Sequence, residues 1–407
     1  MKCFFSYDPK LLVYGFLIIF FASYGQTFFI SLFNTEIRFY YGLTDGEFGF
    51  VYAISTLFSS FILISFAKLI DHIDLRTYSL IVTVGLLLAC IGMVLLINNI
   101  FYLFIIIFML RFFGQGAMTH AGETTMARYF GSNRGKALSV ATLGGMAGVM
   151  FLPYISLNYF TNIEMKQLWF YASISIIVFI PFIFIALSGQ KARHNKFDQD
   201  LINDPLNLKL RTRDIIKDKK FYIYLPLSIA APFISTGLMF HQIYIFGQKG
   251  WSLEMLGNGY ILLGFFSIVG LLVGGPLIDK FHTKKTAITV LAPLLLSVIV
   301  LLLFDSVFFL FIYMSLYGLN MGISTPFMGS LWAEIYGVKS LGTVKALLHA
   351  GSVFASALSP LVFGYHNWLI DPKYTWEDMQ GAQSELPLPE GYAADFITTY
   401  KHKKLNQ

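Results

Sequence analysis

The sequence predicts an all-α membrane protein that crosses the bilayer many times. Of its 407 residues, 56% are hydrophobic and 13% are charged, and the mean hydropathy is +0.65. Soluble domains carry about a quarter charged residues, so this chain cannot cover a water-exposed surface of its size. Apolar runs of about 20 residues, long enough to cross ~30 Å of hydrocarbon, follow one another along most of the chain. Because backbone polar groups must be satisfied inside hydrocarbon, each run is expected to be a helix.

Eleven such runs can be placed in order. Their predicted limits are 11–33, 47–70, 78–98, 100–125, 136–158, 166–188, 221–246, 253–278, 286–304, 306–332 and 341–365. The chain therefore divides into a six-helix bundle within 1–188, a linker over 189–220 and a five-helix bundle within 221–365. The linker has mixed charge and no apolar run, which is typical of a solvated connection. Residues 366–407 contain no run long enough to span and are predicted to form a polar tail.

Lysine and arginine residues are concentrated in alternate loops. Before the tail, the loops on the side of the N-terminus hold 21 of them, and the opposite loops hold only Arg38, Lys166 and Lys249. An excess of these residues marks the cytoplasmic side of a membrane protein, so the N-terminus is predicted to be cytoplasmic. This arrangement also accounts for the net charge of +6, and no nucleic-acid partner is expected.

The same polar motif follows the second and the eighth predicted span. AKLIDHIDLRTY starts at Ala67 and GGPLIDKFHTKK starts at Gly274, and their aspartates, Asp71 and Asp279, are 208 positions apart. Three further pairs are separated by 206 or 207 positions, namely Gly131 with Gly337, Gly135 with Gly342, and Pro153 with Pro360. A nearly constant offset indicates an internal repeat, which predicts two related helical bundles in tandem.

These features resemble the major facilitator superfamily of secondary transporters. RFFGQG, from Arg111 to Gly116, is similar to the family's fourth-helix signature, and GGMAG with Pro153 is similar to its glycine-rich fifth helix. The resemblance implies two pseudo-symmetric bundles around a central cavity. It also implies a transporter without a cofactor, not an enzyme, which we expect to be a monomer in the plasma (inner) membrane. The family normally has 12 helices; we expect that the twelfth has been lost through truncation or a reading-frame change, and the alternative is that a functional tail has replaced it.

The resemblance assigns the repeated motif to a cytoplasmic latch between the bundles. The candidate latch residues are Asp71, Arg76, Glu123, Gly275, Asp279, Lys284 and Glu334. The first copy departs from the family pattern at Ala67, His72 and Asp74, and the second copy departs at Thr283. The alternative interpretation is that these residues only anchor helix ends at the membrane surface.

Arg111 is the residue in the spans that most strongly suggests a binding site. A base at the middle of a membrane helix costs ~2.5–3.5 kcal/mol on insertion scales and is seldom without function. No Asp or Glu lies near the middle of a predicted span, so the cavity is expected to favour anions. The alternative is that Arg111 bonds neighbouring backbone.

In the family, helices 1, 4, 7 and 10 line the cavity. The candidate substrate-binding residues on those helices are Arg111, Gln115, Tyr24, Gln26, Ser235, Thr236, His241, Gln242, Asn320 and Ser324. The candidate coupling residues are His120, Lys345 and His349. The alternative for a lone polar residue is an interhelical hydrogen bond, and Lys345 could instead extend its ammonium to the membrane surface.

The predicted function is secondary active transport of a small organic anion, a carboxylate, by alternating access with proton coupling or exchange. The pattern looks closest to the monocarboxylate and oxalate/formate-type transporters, although the eighth span lacks the arginine typical of those subgroups. Two alternatives remain: an exporter of an amphipathic compound, and a truncated, non-transporting membrane protein or sensor. The two cysteines, Cys3 and Cys90, have no metal-ligand spacing, and no metal is expected.

Overall fold

The computed structural model describes residues 8–130, 133–158, 164–191, 193–195, 212–281, 283–336 and 341–370. Most of these residues are helical and none of them lies in a strand, which confirms the all-α prediction. Ten long helices follow the first helix, α1, which runs from Pro9 to Tyr41, and we number them in chain order. They are α2 Asp45–Phe66, α3 Leu75–Leu95, α4 Ile100–Tyr129, α5 Arg134–Asn158, α6 Met165–Ala186, α7 Lys219–Phe240, α8 Leu253–Phe281, α9 Thr283–Leu303, α10 Val307–Tyr336 and α11 Leu341–Ile370. Each of the eleven predicted spans overlaps one of these helices, and the seventh span also overlaps a short helical segment, Gln242–Gln248.

The first helix, α1, is broken. It consists of the α-helical segments Pro9–Ala22, Thr27–Ile30 and Asn34–Tyr41, joined by two short 3₁₀ turns. At Gln26 the backbone is extended, with φ −84° and ψ 153°, and the two parts of α1 meet at an angle of 45°. A second irregularity lies in α4, which forms a π-helix from Leu110 to Met118. Such segments are rare and occur frequently at functional sites.

Polar residues cap the ends of these apolar helices. Asp8 accepts a hydrogen bond from the backbone N–H of Leu11 at the start of α1. Thr44 and Glu47 form a reciprocal capping box at the start of α2, and Asp218 accepts from the N–H of Lys220 at the start of α7. These contacts satisfy backbone donors that a helix leaves unpaired at its first turn. They explain why acidic residues lie at helix ends.

Eight of the described helices are long and apolar enough to cross a membrane by themselves. They are α2 to α8 and α10, and α1 makes a ninth if its two parts form one span. Of the two remaining helices, α9 contributes a shorter apolar segment, Val290–Leu303, and α11 extends to Ile370. The protein is therefore a multi-pass membrane protein, and the total of eleven spans stays a prediction.

The helices form two bundles with matching internal contacts. In the first bundle α1 packs on α5 and α2 on α4, and in the second bundle α7 packs on α11 and α8 on α10. The bundles meet through α2 against α11, α5 against α8 and α1 against α7. Each helix pair of the first bundle corresponds to the pair six helices later in the second bundle, as the internal sequence repeat predicts.

We call the end that carries Pro9, Phe66 and Lys219 the basic end, because the basic loops follow it, and the opposite end the far end. Near the basic end the start of the linker folds back onto α1, where the Arg193 Nε lies 2.6 Å from the Asp8 carboxylate. A short helix, Thr212–Lys217, precedes α7. Most of the remaining linker and the predicted polar tail beyond Ile370 lie outside the described residues.

Candidate functional site

Arg111 lies in the π-helical part of α4 and is 1% exposed. Its Nη1 donates to the backbone carbonyl of Gly25 at 3.2 Å and to the Thr27 hydroxyl at 3.2 Å, both on α1. Its Nε donates to the Thr56 hydroxyl of α2 at 3.2 Å. The guanidinium therefore connects three helices at the centre of the first bundle.

The break in α1 is what allows this contact. Gly25 and Gly114 pack backbone against backbone, so that a Cβ added to Gly114 would lie 2.7 Å from the Gly25 Cα. Small residues permit such close helix contacts in membranes. The extended conformation at Gln26 interrupts the helical hydrogen bonds, and the freed Gly25 carbonyl accepts from Arg111 instead. A backbone group that would be costly to leave unpaired in hydrocarbon is thereby satisfied.

The positive charge of Arg111 has no acidic counterpart among the described groups that contact it. The guanidinium carbon lies 5.1 Å from the centre of the Tyr52 ring, a cation–π distance. The Tyr52 hydroxyl donates to Thr27 at 2.8 Å. The Arg111 Nη2 is buried without a hydrogen-bond partner in the described structure. The Nη2 of the buried guanidinium therefore remains available to an acceptor that the described residues do not supply.

At the far end, aromatic and amide side chains join α1 and α2 to α7. The Phe240 ring stacks on Phe48 at 5.3 Å and contacts Tyr52 at 5.0 Å. The Asn34 amide donates to the Phe240 carbonyl at 2.9 Å. These contacts join the two bundles at the far end, and we call this arrangement closed.

Gln242 adds a second set of bonds at the same place. Its amide nitrogen donates to the Ser31 hydroxyl at 2.9 Å and to the Phe28 carbonyl at 3.5 Å. Its amide oxygen accepts from the Tyr260 hydroxyl at 2.5 Å. One side chain thus connects α1 to the region of α7 and α8, so Gln242 contributes to closure in this conformation.

A pocket of about 310 Å³ lies in the second bundle among α7, α10 and α11. Its polar groups come from Ser228, Ser235, Asn320, Ser324 and Ser352, and none of the described residues that line it is charged. The pocket brings together three of the predicted substrate-binding residues, Ser235, Asn320 and Ser324.

The other predicted binding residues lie apart from this pocket. Thr236 bonds Ser356 of α11 at 2.7 Å, and the His241 Nε2 lies 3.1 Å from the Pro360 carbonyl of α11. Tyr24 bonds the Ser175 hydroxyl of α6 at 2.9 Å. Three more residues are half-buried on α1 or α4, namely Gln26, Gln115 and His120. The His120 ring lies 3.4 Å from the Thr124 hydroxyl.

The structure describes the side chains of three candidate latch residues, namely Arg76, Glu123 and Glu334. Arg76 donates to the Leu187 carbonyl at 3.1 Å and lies 5.9 Å from the Phe184 ring centre, so in this conformation it contacts its own bundle. Glu123 and Glu334 are exposed on α4 and α10. The surroundings of six predicted residues lie outside the described part of the structure, namely Asp71, Gly275, Asp279, Lys284, Lys345 and His349.

The structure also shows residues that the sequence analysis did not select. Thr56 and Tyr52 contact Arg111 from α2, a helix that the resemblance does not assign to the cavity. Asn34 lies beyond the predicted end of the first span, because α1 continues to Tyr41. The sequence signal available for α2 is its hydroxyl-rich stretch from Ser55 to Ser60, which is unusual within an apolar run.

Comparison with known proteins identifies the family. The sequence pattern of the Major Facilitator Superfamily matches residues 15–257 and again residues 233–376. The chain belongs to the major facilitator superfamily. No curated protein matches the sequence. The family assignment confirms the prediction of a membrane transporter that is not an enzyme.

Solved structures of superfamily transporters share the fold. A bacterial homologue of the human lysosomal transporter Spinster, in an inward-facing and unoccupied conformation, is 17% identical with a TM-score of 0.64, and the match covers 89% of this chain and 82% of that one. The nucleoside transporter NupG is 13% identical with a TM-score of 0.66, and the match covers 92% of this chain and 94% of NupG. At these identities the likeness extends to the fold alone.

Proposed function

We propose that this superfamily member moves a small organic anion, a carboxylate, across the plasma (inner) membrane by alternating access. The protein acts as a monomer with its N-terminus and basic end in the cytoplasm, and transport is coupled to protons or to exchange. The observation that carries the anionic substrate is the guanidinium of Arg111, buried in the first bundle with one nitrogen unpaired.

The charge of Arg111 requires a compensating group. Ionised side chains are almost never fully buried unless they are paired, and hydrogen bonds to neutral oxygens reduce the cost of burial without removing the charge. The neighbouring oxygens of Gly25, Thr27 and Thr56 are all neutral acceptors. A substrate carboxylate at Nη2 would supply the missing negative charge through a charge-assisted hydrogen bond.

The contacts around Arg111 also suggest when it is accessible. The Tyr52 ring covers the guanidinium, and Phe240 of the second bundle packs against Tyr52. When the far end opens, α7 must move away from α1 and α2, and Phe240 leaves Tyr52 with it. The anion would then reach Arg111 from the far side, and release would occur at the basic end. Such rigid-body motion of one bundle against the other is how repeat-built transporters alternate access.

Counterflow in proteoliposomes tests the proposal. Radiolabelled lactate and oxalate are offered to vesicles preloaded with the same unlabelled acid. We expect wild-type protein to accumulate one of the labels, Arg111→Gln to lose at least about 100-fold in rate, and Arg111→Lys to lose less because the charge remains. Arg128→Gln is the matched control, since Arg128 is a second arginine of α4 that bonds the Ile70 carbonyl at the basic end.

The result can also reject the proposal. Unchanged counterflow in a folded Arg111→Gln protein would restrict Arg111 to stabilising the break in α1. The uncharged pocket of the second bundle favours a second candidate function, export of an amphipathic compound. Extrusion of a cationic dye without carboxylate counterflow would select that candidate. Absence of flux with either class would indicate a non-transporting protein or a sensor.

A further inference from the structure

The outer surface of the first bundle includes the exposed faces of α3 and α6, which pack on each other. The helices begin and end together, since α3 starts and α6 finishes at the basic end. Lipid tails are as apolar as leucine side chains, so we expect acyl chains to cover this outer surface of α3 and α6. Its exposed apolar side chains include Ile81, Val84 and Leu88 of α3 and Ile177, Phe184 and Ile185 of α6.

A sharp turn of the chain follows α6 at the basic end. Gly189 has a φ of +77°, in the left-handed region that favours glycine. Arg76, in the first turn of α3, donates from Nη2 to the Leu187 carbonyl at 3.1 Å and lies 5.9 Å from the Phe184 ring centre. Lys191 is exposed on the same turn. Two bases therefore lie where the apolar outer surface of α3 and α6 ends.

The two arginines at this turn differ in how their charges are compensated. Arg193 donates to both carboxylate oxygens of Asp8, at 2.6 and 3.1 Å, and to the Ser188 carbonyl at 2.9 Å. Arg76 is half-buried, and its one described side-chain hydrogen bond goes to the neutral Leu187 carbonyl. The Arg76 Nε has no partner among the described residues. The charge of Arg193 is thus neutralised within the protein, and that of Arg76 is not.

The acid next to Arg76 in the sequence does not change this difference. Asp74 is exposed, and its carboxylate accepts from the backbone N–H of Arg76 at 2.9 Å as the cap of α3. The negative end of the α6 dipole lies at the turn and favours a cation there, but it supplies only a partial charge. The guanidinium of Arg76 can therefore bind an anion from outside the chain.

We propose that this turn binds the phosphate of an anionic phospholipid, such as phosphatidylglycerol, whose acyl chains lie on the outer surface of α3 and α6. A guanidinium binds phosphate oxygens through charge-assisted hydrogen bonds, and bases at a membrane surface attract anionic headgroups. Arg76 supplies the directed contact, and Lys191 adds a second positive charge on the same turn. The apolar surface beside the turn favours a lipid over a soluble phosphate compound.

Three probes separate the contributions of phosphate, net charge and acyl chains. Dioctanoyl phosphatidylglycerol carries all three, dioctanoyl phosphatidylcholine has the same chains and a phosphate without net charge, and glycerol phosphate has no acyl chains. Binding to the purified full-length protein is measured by thermal stabilisation over a range of concentrations, since a ligand that binds the folded state raises its apparent stability. We expect phosphatidylglycerol to bind at least about tenfold more tightly than either of the other probes.

Two substitutions and one control locate the effect. Arg76→Gln is expected to weaken phosphatidylglycerol binding by about fivefold or more and Lys191→Gln by about two- to fivefold, while phosphatidylcholine binding stays unchanged. Arg128→Gln is the matched control, because it removes the same charge from the basic end at a site on α4, where Arg128 bonds the Ile70 carbonyl. The melting temperature without added lipid checks that each variant is folded.

Each other outcome would overturn the proposal. Equal binding of the two lipids, with no effect of Arg76→Gln, would leave only general contact with the bilayer. Glycerol phosphate that binds as tightly as phosphatidylglycerol would assign the turn to a soluble phosphate compound. An equal loss in Arg128→Gln would mean that only the net charge of the basic end matters. None of these measurements involves transport, so their failure would leave the proposed function standing.

Discussion

The two bundles share one arrangement of helices but differ at their centres. In the first bundle, α1 and α4 touch through glycines, and Arg111 fills the space beside the break in α1. In the second bundle, α7 and α10 are joined by longer side chains, as where the Trp332 indole donates to Ser228, and they leave a pocket lined by uncharged polar and apolar side chains. One half therefore holds a charge in a tightly packed frame, and the other half holds space with hydrogen-bonding groups. Glycines pack α1 against α4 in the first bundle and α10 against α8 in the second bundle. In the second bundle a pocket remains between α7 and α10.

The first prediction tests this contrast by adding bulk at the centre of the first bundle. Gly114→Ala places a Cβ 2.7 Å from the Gly25 Cα, where backbone has to move. We expect overpacking to lower the free energy of unfolding by about 1–3 kcal/mol, seen as a lower melting temperature of the purified protein. Gly247→Ala is the matched control, because its Cβ would meet no atom within 4 Å.

The counterpart in the second bundle should behave in the opposite way. Ala231 is 8% exposed and lines the pocket, so Ala231→Leu can direct its added methyl groups into open space. We expect an unchanged melting temperature and a loss of substrate binding. A melting temperature that falls as far as in Gly114→Ala would show that the two centres are equally packed, and the contrast would be wrong.

Much of the fold could be predicted from the sequence. The length of each apolar run is imposed by the bilayer thickness, so helix existence and order follow from hydropathy. The repeat offsets around Asp71 and Asp279 indicate two bundles, and the structure shows their matched contacts. The family resemblance was also correct, because the superfamily pattern matches residues 15–257 and 233–376.

The candidate site was harder to predict. Arg111 could be selected because a buried charge is costly at any position in a membrane. Its partners could not, since the bonds to Thr56 and Tyr52 come from α2 and depend on how three helices meet. Sequence alone also could not tell Ser324, whose hydroxyl is unpaired, from Ser315, whose hydroxyl is bonded locally. Hydropathy ended the first span before Asn34, although capped helices can continue beyond the hydrocarbon.

The second prediction concerns the closed far end that lies between the two centres. Gln242→Leu removes the bonds to Ser31, to the Phe28 carbonyl and to Tyr260. The bonds to Ser31 and to the Phe28 carbonyl cross between the bundles and exist only while the bundles are together, so their loss should favour opening by about 1.4 kcal/mol, a tenfold change in the equilibrium. The readout is the rate at which maleimide labels a cysteine at Gly49, where a Cβ would lie 3.7 Å from Pro360 of α11.

The matched control for this measurement is Gln248→Leu, since Gln248 is an exposed glutamine of the same short helical segment. We expect Gly49→Cys to be labelled about ten times faster with Gln242→Leu and at the original rate with Gln248→Leu. Equal rates in all three proteins would mean that Gln242 does not contribute to closure, and the aromatic contacts of Phe240 would then have to carry it.

The third prediction has the smallest expected effect and uses the same cysteine. If Arg76 belongs to a latch that holds the opposite conformation, Arg76→Gln should favour the conformation described here and slow Gly49→Cys labelling by about threefold, as expected for loss of a partly exposed charge contact of ~0.2–1 kcal/mol. In this conformation Arg76 instead bonds the Leu187 carbonyl of its own bundle. A lower melting temperature with an unchanged labelling rate would therefore assign Arg76 to packing within the first bundle and would exclude it from the latch.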